Sequence, residues 1–197
     1  MPKPRTYDRA ELIAAAMEQF WAHGYYATSI QDLVSATGVS RHGLYAEFDD
    51  KHGIFLAALE AYLESFVQEA FGRVEAEAAS VSQIRDYFEH LIALAEENGL
   101  PGPGCLMANT MVEAGPHEAA FKAMVERHLN RLRTGFKRAL ETGQRHNEVD
   151  RSLDAEQFAE FLTISAQGLW SASRVISDAQ HLRAYVDTLL APIEKRR

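Results

Sequence analysis

A single cysteine in 197 residues leaves no disulfide to close within the chain, and such usage suits a reducing compartment. No apolar run reaches the roughly eighteen residues that a membrane-spanning helix needs, so no membrane is expected as a partner. The N-terminus lacks the apolar core of a signal peptide, and Met1-Pro-Lys-Pro-Arg5 reads instead as a short basic arm. A cytoplasmic protein is the expectation. Positive charge is scarce: 20 Lys and Arg stand against 28 Asp and Glu, a net charge of −8, which argues against a protein that coats nucleic acid without regard to sequence. The 8 histidines show neither His-x-x-x-His nor paired His/Cys spacing, so no metal is expected. No segment alternates as a strand does, which also removes the strand-to-helix glycine loop of phosphate binders. Neither a cofactor nor an enzyme is anticipated.

Helical spacing is abundant, and the expected fold class is all-α. Ile13, Ala16, Met17 and Phe20 form one stripe between Tyr7 and His23, stopped by Gly24. Phe55, Leu59, Tyr62, Phe66, Ala70 and Val74 predict a long helix from Lys51 to about Ala79. Another opens at Ser80, with Ile84, Tyr87, Phe88 and Leu91 inward. Three glycines and two prolines between Gly99 and Gly104 require a loop. A short helix from Cys105 to about Ala114, a longer one from about Pro116 to Thr142, and two more opened by Asp154 and Asp178 complete the chain.

The most informative stretch runs from Thr28 to Lys51. Ser29 is placed to cap a short helix, with Asp32 as its partner in a capping box, and Ile30, Leu33 and Val34 give that helix an apolar face. Gly38 supplies a tight turn, and Ser40 caps a second short helix whose Leu44 and Phe48 lie on one side. Two short helices joined by such a turn make a helix-turn-helix, whose second helix enters the major groove of DNA. Arg41 and His42 stand at the N-terminal end, where side chains reach base edges; Gly43 permits close approach, and the Tyr45 hydroxyl suits a phosphate. Lys51 follows Asp50 at the start of the next helix, another phosphate-favouring position. Residues 1–51 hold five basic against seven acidic side chains, so the footprint rests on Lys3, Arg5, Arg9, Arg41 and Lys51 being presented on one face.

With Phe20-Trp-Ala-His-Gly-Tyr-Tyr upstream, this stretch resembles the N-terminal domain of the TetR family of bacterial transcriptional regulators. The likeness covers about residues 8–60, with Gly24-Tyr25, Thr28-Ser29, Gly38-Val39-Ser40, Leu44-Tyr45, Phe48 and Lys51 in register. It implies a DNA-binding head over residues 1–52 and a helical ligand-binding and dimerisation body over residues 53–197. It also implies double-stranded operator DNA as partner, through Thr28, Ser29, Ser40, Arg41, His42, Gly43, Tyr45 and Lys51. Three departures stand out: glycine usually precedes position 43 by one, Glu47 replaces a usual His or aromatic, and Asp49-Asp50 replaces a more neutral pair. Carboxylates repel phosphate, so Glu47 and Asp49 are left out of the contact set. These same acidic residues motivate an alternative, a small-molecule-binding protein whose helix-turn-helix is vestigial.

In the body, Tyr62, Phe66, Phe88, Met107, Met111, Phe121, Met124 and Trp170 are expected on facing helices, either as plain core or as walls of a pocket for an unknown small-molecule effector. His90, Asn109, Glu113 and His128 are candidates to orient that molecule. Cys105 joins the ligand set. Opening a helix, it gains thiolate stabilisation, and Gly104-Cys105-Leu106 resembles a TetR-like subgroup in which some members sense electrophiles or oxidants. The competing reading is a small buried apolar side chain. The last two helices carry Phe158, Phe161, Leu162, Ser165, Ala166 and Leu169, then Leu182, Tyr185, Val186, Leu189, Leu190 and Ile193. The family pairs these helices with their two-fold mates, which implies a homodimer with recognition helices one DNA turn apart, roughly 34 Å.

Overall fold

The computed structural model describes residues 7–97 and 99–194. Lys3 and Arg5 of the basic arm, and Lys195, Arg196 and Arg197 of the tail, lie outside the described residues. Every regular element among the described residues is helical.

The head is built from α1 (Arg9–His23), α2 (Ile30–Thr37) and α3 (Arg41–Phe48). Asp8 starts α1 by accepting the Ala10 N–H at 2.7 Å, and Leu12, Ala16, Met17 and Phe20 turn inward. Ser29 and Asp32 form the anticipated capping box: the Ser29 N–H donates to the Asp32 carboxylate at 2.8 Å, and the Asp32 N–H to the Ser29 hydroxyl at 3.2 Å. Gly38 ends α2 with φ 68°, a left-handed conformation costly for a residue with Cβ. Ser40 caps α3, and Asp50 caps α4 (Lys51–Tyr62).

The connecting rod departs from the single helix expected. After α4 the chain passes through a π-helical turn, Leu63–Val67, into α5 (Gln68–Phe71), and stops about eight residues before Ala79. The wider turn takes one extra residue, so Tyr62 and Val67, five apart, face the same side. Beyond Gly72 the chain turns so that Val74 enters the core, 1% exposed.

The body comprises α6 (Val81–Glu97), α7 (Leu106–Glu113), α8 (Ala119–Arg145), α9 (Ala155–Ala172) and α10 (Ala179–Leu190). α8 lies along α9, and α10 covers α6. Phe71, Tyr87, Phe88 and Phe136 form an aromatic centre, with Phe88 and Phe136 parallel at 6.1 Å. Arg131 donates to Glu75 at 2.7 Å and Arg127 to Glu60 at 2.8 Å, tying α8 to the rod.

The apolar stripes of the last two helices are mostly consumed inside the subunit. Leu162, Ser165, Ala166, Leu169, Leu182, Val186, Leu189, Leu190 and Ile193 are all buried, because α8 and α6 cover them. Phe161, Ile164 and Tyr185 stay exposed on the outer face.

Candidate functional site

α3 presents Arg41 and His42 fully outward at its first turn, while Leu44 and Phe48 anchor it from behind. Tyr45, one turn on, is half-buried, with the Arg41 guanidinium 5.3 Å above its ring. The Ser40 hydroxyl accepts the Gly43 N–H at 3.2 Å, and that of Ser29 donates to Asp32 at 2.6 Å; both residues remain exposed. Arg9 donates to Glu47 at 2.7 Å and lies 5.3 Å from the Phe48 ring, so the acidic side chain on α3 carries a cationic partner of its own. Arg9 thereby has a use inside the head as well as a charge to offer outside it.

Three expected contact residues are committed elsewhere. Thr28 is 0% exposed, its hydroxyl donating to the Gly24 carbonyl at 2.7 Å, so it closes the α1–α2 turn. The Lys51 ammonium donates to the carbonyls of Tyr25 and Thr28, each at 3.0 Å, and stands 4.3 Å over the Tyr25 ring. Burial draws it below its ordinary pKa, with Glu113 pulling the other way. It holds the turn together with two of its three N–H groups. Gly43 faces inward: a Cβ there would come within 2.8 Å of Val39, so its missing side chain makes room within the head.

The same turn is gripped by the body. The Glu113 carboxylate, at the end of α7, accepts the N–H of Tyr25 at 3.1 Å and of Tyr26 at 2.8 Å. Gly24, at φ 86°, lies so close that a Cβ would sit 2.7 Å from that carboxylate. Phe121 of α8 packs edge-on against Tyr25 and Phe55 at about 5 Å. At the other end of α7, the Trp21 indole donates to the Gly104 carbonyl at 2.9 Å.

Beside that bond lies a cavity of about 370 Å³, within the range of small-molecule sites. α1 contributes Glu18, Trp21 and Ala22; the rod contributes Tyr62, Phe66, Val67 and Ala70; Tyr87, Leu91, Leu94 and Ala95 come from α6. The loop before α7, with Gly104 and Cys105, and His128, Gln167, Trp170 and Ser173 complete it. Trp21 stands edge-on to Tyr62 and Phe66, with centroids 5.2 and 4.9 Å away.

Residues 12–58 match the family described as "Bacterial regulatory proteins, tetR family", and residues 80–189 match "Tetracyclin repressor-like, C-terminal domain". The Escherichia coli (strain K12) protein named HTH-type transcriptional repressor ComR is 33% identical over 190 residues, spanning 95% of this chain and 90% of its own. The chain belongs to the TetR family. It is therefore a DNA-binding transcriptional regulator and not an enzyme. The HTH-type transcriptional repressor DhaR of Mycobacterium sp. (strain GP1) is 28% identical over 83% of this chain and 81% of its own. Among solved structures, a cysteine mutant of the regulator CifR complexed with 26-base-pair operator DNA superposes with a TM-score of 0.84, at 23% identity over 96% of this chain and 98% of CifR. The reduced form of E. coli NemR gives 0.75 at 18% identity, over 96% and 98% of the two chains. Both likenesses show the fold.

Within this TetR-family fold, Tyr62, Phe66, Cys105 and Trp170 reach the cavity, whereas Phe88, Met107, Met111, Phe121 and Met124 do not. Phe88 and Met107 are 0% exposed core, Phe121 belongs to the head–body seam, Met124 is buried, and Met111 is partly buried against the core. Helical periodicity identifies inward residues without telling which inward residues border a void. Trp21 bridges head and body, and it is also wall. Of the proposed orienting residues, His128 lines the cavity, Glu113 holds the head, and Asn109 donates to the Pro103 carbonyl at 2.9 Å. Gln167 and Tyr87 carried no functional signal in the sequence.

Cys105 is the N-cap of α7, yet its thiol is raised above the ordinary cysteine value. Burial is the cause and outweighs the opposing pull of the Ala108 N–H, the Tyr62 hydroxyl and the Met107 N–H. The thiolate stabilisation expected from helix position is overridden by desolvation.

Proposed function

We propose that this regulator is a homodimeric repressor that leaves its operator when a small molecule fills the cavity beneath α1. One observation carries the reading: the DNA-binding head supplies part of the cavity wall, through Glu18, Trp21 and Ala22. A molecule seated there touches the head directly, and α7 links the cavity loop to the α1–α2 turn through Gly104 and Glu113. Two groups with one rigid eight-residue helix between them move together.

In this reading Arg41 and His42 read base edges, Tyr45 and the exposed Ser29 and Ser40 contact phosphates, and the sign of control follows the repressors ComR and DhaR. Phe161, Ile164 and Tyr185, left exposed on α9 and α10, form the centre of the two-fold interface. The site of action is the cytoplasm, where its DNA is.

The test is a mobility shift on the DNA upstream of its own gene, run against compounds selected by thermal shift. A compound that stabilises the protein is expected to weaken operator binding, and the operator to weaken the compound by the same factor. A compound proven to occupy the cavity that leaves operator affinity unchanged overturns the proposal.

A further inference from the structure

Taking the cavity as the effector site, we infer that its ligand is an uncharged, largely apolar ring compound carrying a hydrogen-bond-accepting oxygen, received by Gln167 with His128 beside it. Gln167 and His128 both line the cavity, and they are only 6% and 4% exposed. The Gln167 Nε2 and the His128 Nδ1 have no hydrogen-bond partner among the described residues. A buried polar group without a partner is costly, and a protein keeps one where something else completes it. The terminal torsion of glutamine is broad, so a small rotation brings the amide to a ligand oxygen.

The rest of the wall sets the ligand's character. Trp21, Tyr62, Phe66, Tyr87 and Trp170 bring aromatic rings to the wall from α1, the rod, α6 and α9, which suits a planar ring. Charge is nearly absent: among the lining residues only Glu18 bears a formal charge at neutral pH, and it is an exposed side chain of α1. Among the described residues no lysine or arginine lines the space, so an anion would lose its water without a cation in return. Nor does His128 supply one, since burial first and Arg131 second hold its pKa down to about 4, leaving the ring neutral.

Isothermal titration of the full-length protein with three probes of one shape tests this: acetonaphthone, naphthoate and ethylnaphthalene. The ketone is expected to bind roughly threefold to tenfold more tightly than the hydrocarbon, as one net hydrogen bond provides. The carboxylate is expected to bind weaker than the ketone by about tenfold or more. Gln167→Leu should erase the ketone's preference over the hydrocarbon, and continued hydrocarbon binding reports that the cavity is intact. Gln167→Met, closer in shape, takes its place if the leucine variant loses helicity. Naphthoate binding as tightly as the ketone, a ketone preference that survives the Gln167 variant, or no heat from any probe would overturn the inference. Operator binding by the ligand-free protein is measured separately. A protein that discriminates the probes and never retards its own upstream DNA keeps this inference and loses the regulatory reading; one that retards DNA and prefers the anion does the reverse.

Discussion

The Trp21 indole N–H donates to the Gly104 carbonyl at 2.9 Å, joining the last turn of the head's first helix to the residue before Cys105. Nine residues on, at the end of α7, Glu113 holds the Tyr25 and Tyr26 amides. Head and body are thus tied at both ends of one short helix, and one of the ties runs along the cavity wall.

Recognition should divide between two kinds of residue. Arg41→Ala is expected to weaken operator binding by roughly tenfold to a hundredfold and to relax base preference at one position of each half-site. Tyr45→Ala should weaken all sequences alike and leave the salt slope nearly unchanged, because its hydroxyl carries no charge. Lys51→Ala should act differently, lowering thermal stability in the absence of DNA, since its ammonium serves two carbonyls of the turn. Titrations of fluorescent operator variants at two salt concentrations, beside melting curves, separate the three effects.

Glu113→Ala removes the acceptor for two amides, that of Tyr25 part-buried and that of Tyr26 exposed, and should cost about 1–2 kcal/mol. The telling measurement is hydrogen exchange: protection should fall at Tyr25 and Tyr26 and stay in α9. A ligand that binds this variant normally should release the operator less effectively, because the head is held by one tie in place of two.

His128 makes stability depend on acidity. Its folded pKa is about 4, below the 6.5 of an unperturbed histidine, so between those values the unfolded chain binds the extra proton. Stability should therefore be full above about pH 6.5 and fall as pH drops towards 4, by at most about 3 kcal/mol from this residue. Urea midpoints across that window should flatten in His128→Gln relative to the parent.

Cys105 should react slowly. With its thiol raised by burial, the native protein near neutral pH should label with a disulfide reagent about tenfold or more slowly than the denatured chain. Fast native labelling would return the residue to the sensing role that its position before a helix suggests.

Phe161 and Ile164 are 49% and 62% exposed on α9. Glutamate at both positions should yield a folded monomer by analytical ultracentrifugation and abolish tight operator binding, since one head contacts only half a site.

Local signals in the chain were strong wherever local chemistry decides structure. Ser29 with Asp32, Ser40, Asp50, Gly24 and Gly38 marked the helix ends of the head because caps and left-handed glycines act within four residues. The outward His42 follows from the inward Leu44 and Phe48 by helical spacing, whereas Arg41, three and seven residues from them, is exposed because it opens the helix. The rod was harder: nothing in Leu63–Val67 announces a π turn, and Val74, spaced as a helical core residue, enters the core from a turn.

The amino-acid order by itself determined the all-helical class, the head with its recognition helix, and membership of a DNA-binding family, because caps, periodicity and motif register are properties of neighbouring residues. Only the tertiary structure decided that Thr28 and Lys51 brace a turn, that Phe88, Met107 and Phe121 are packing while Trp21, Gln167 and Tyr87 border the void, and that Cys105 is buried although it opens a helix. Each of those outcomes depends on groups dozens of residues apart meeting in space, where desolvation and hydrogen-bond completion outweigh what any local pattern prefers.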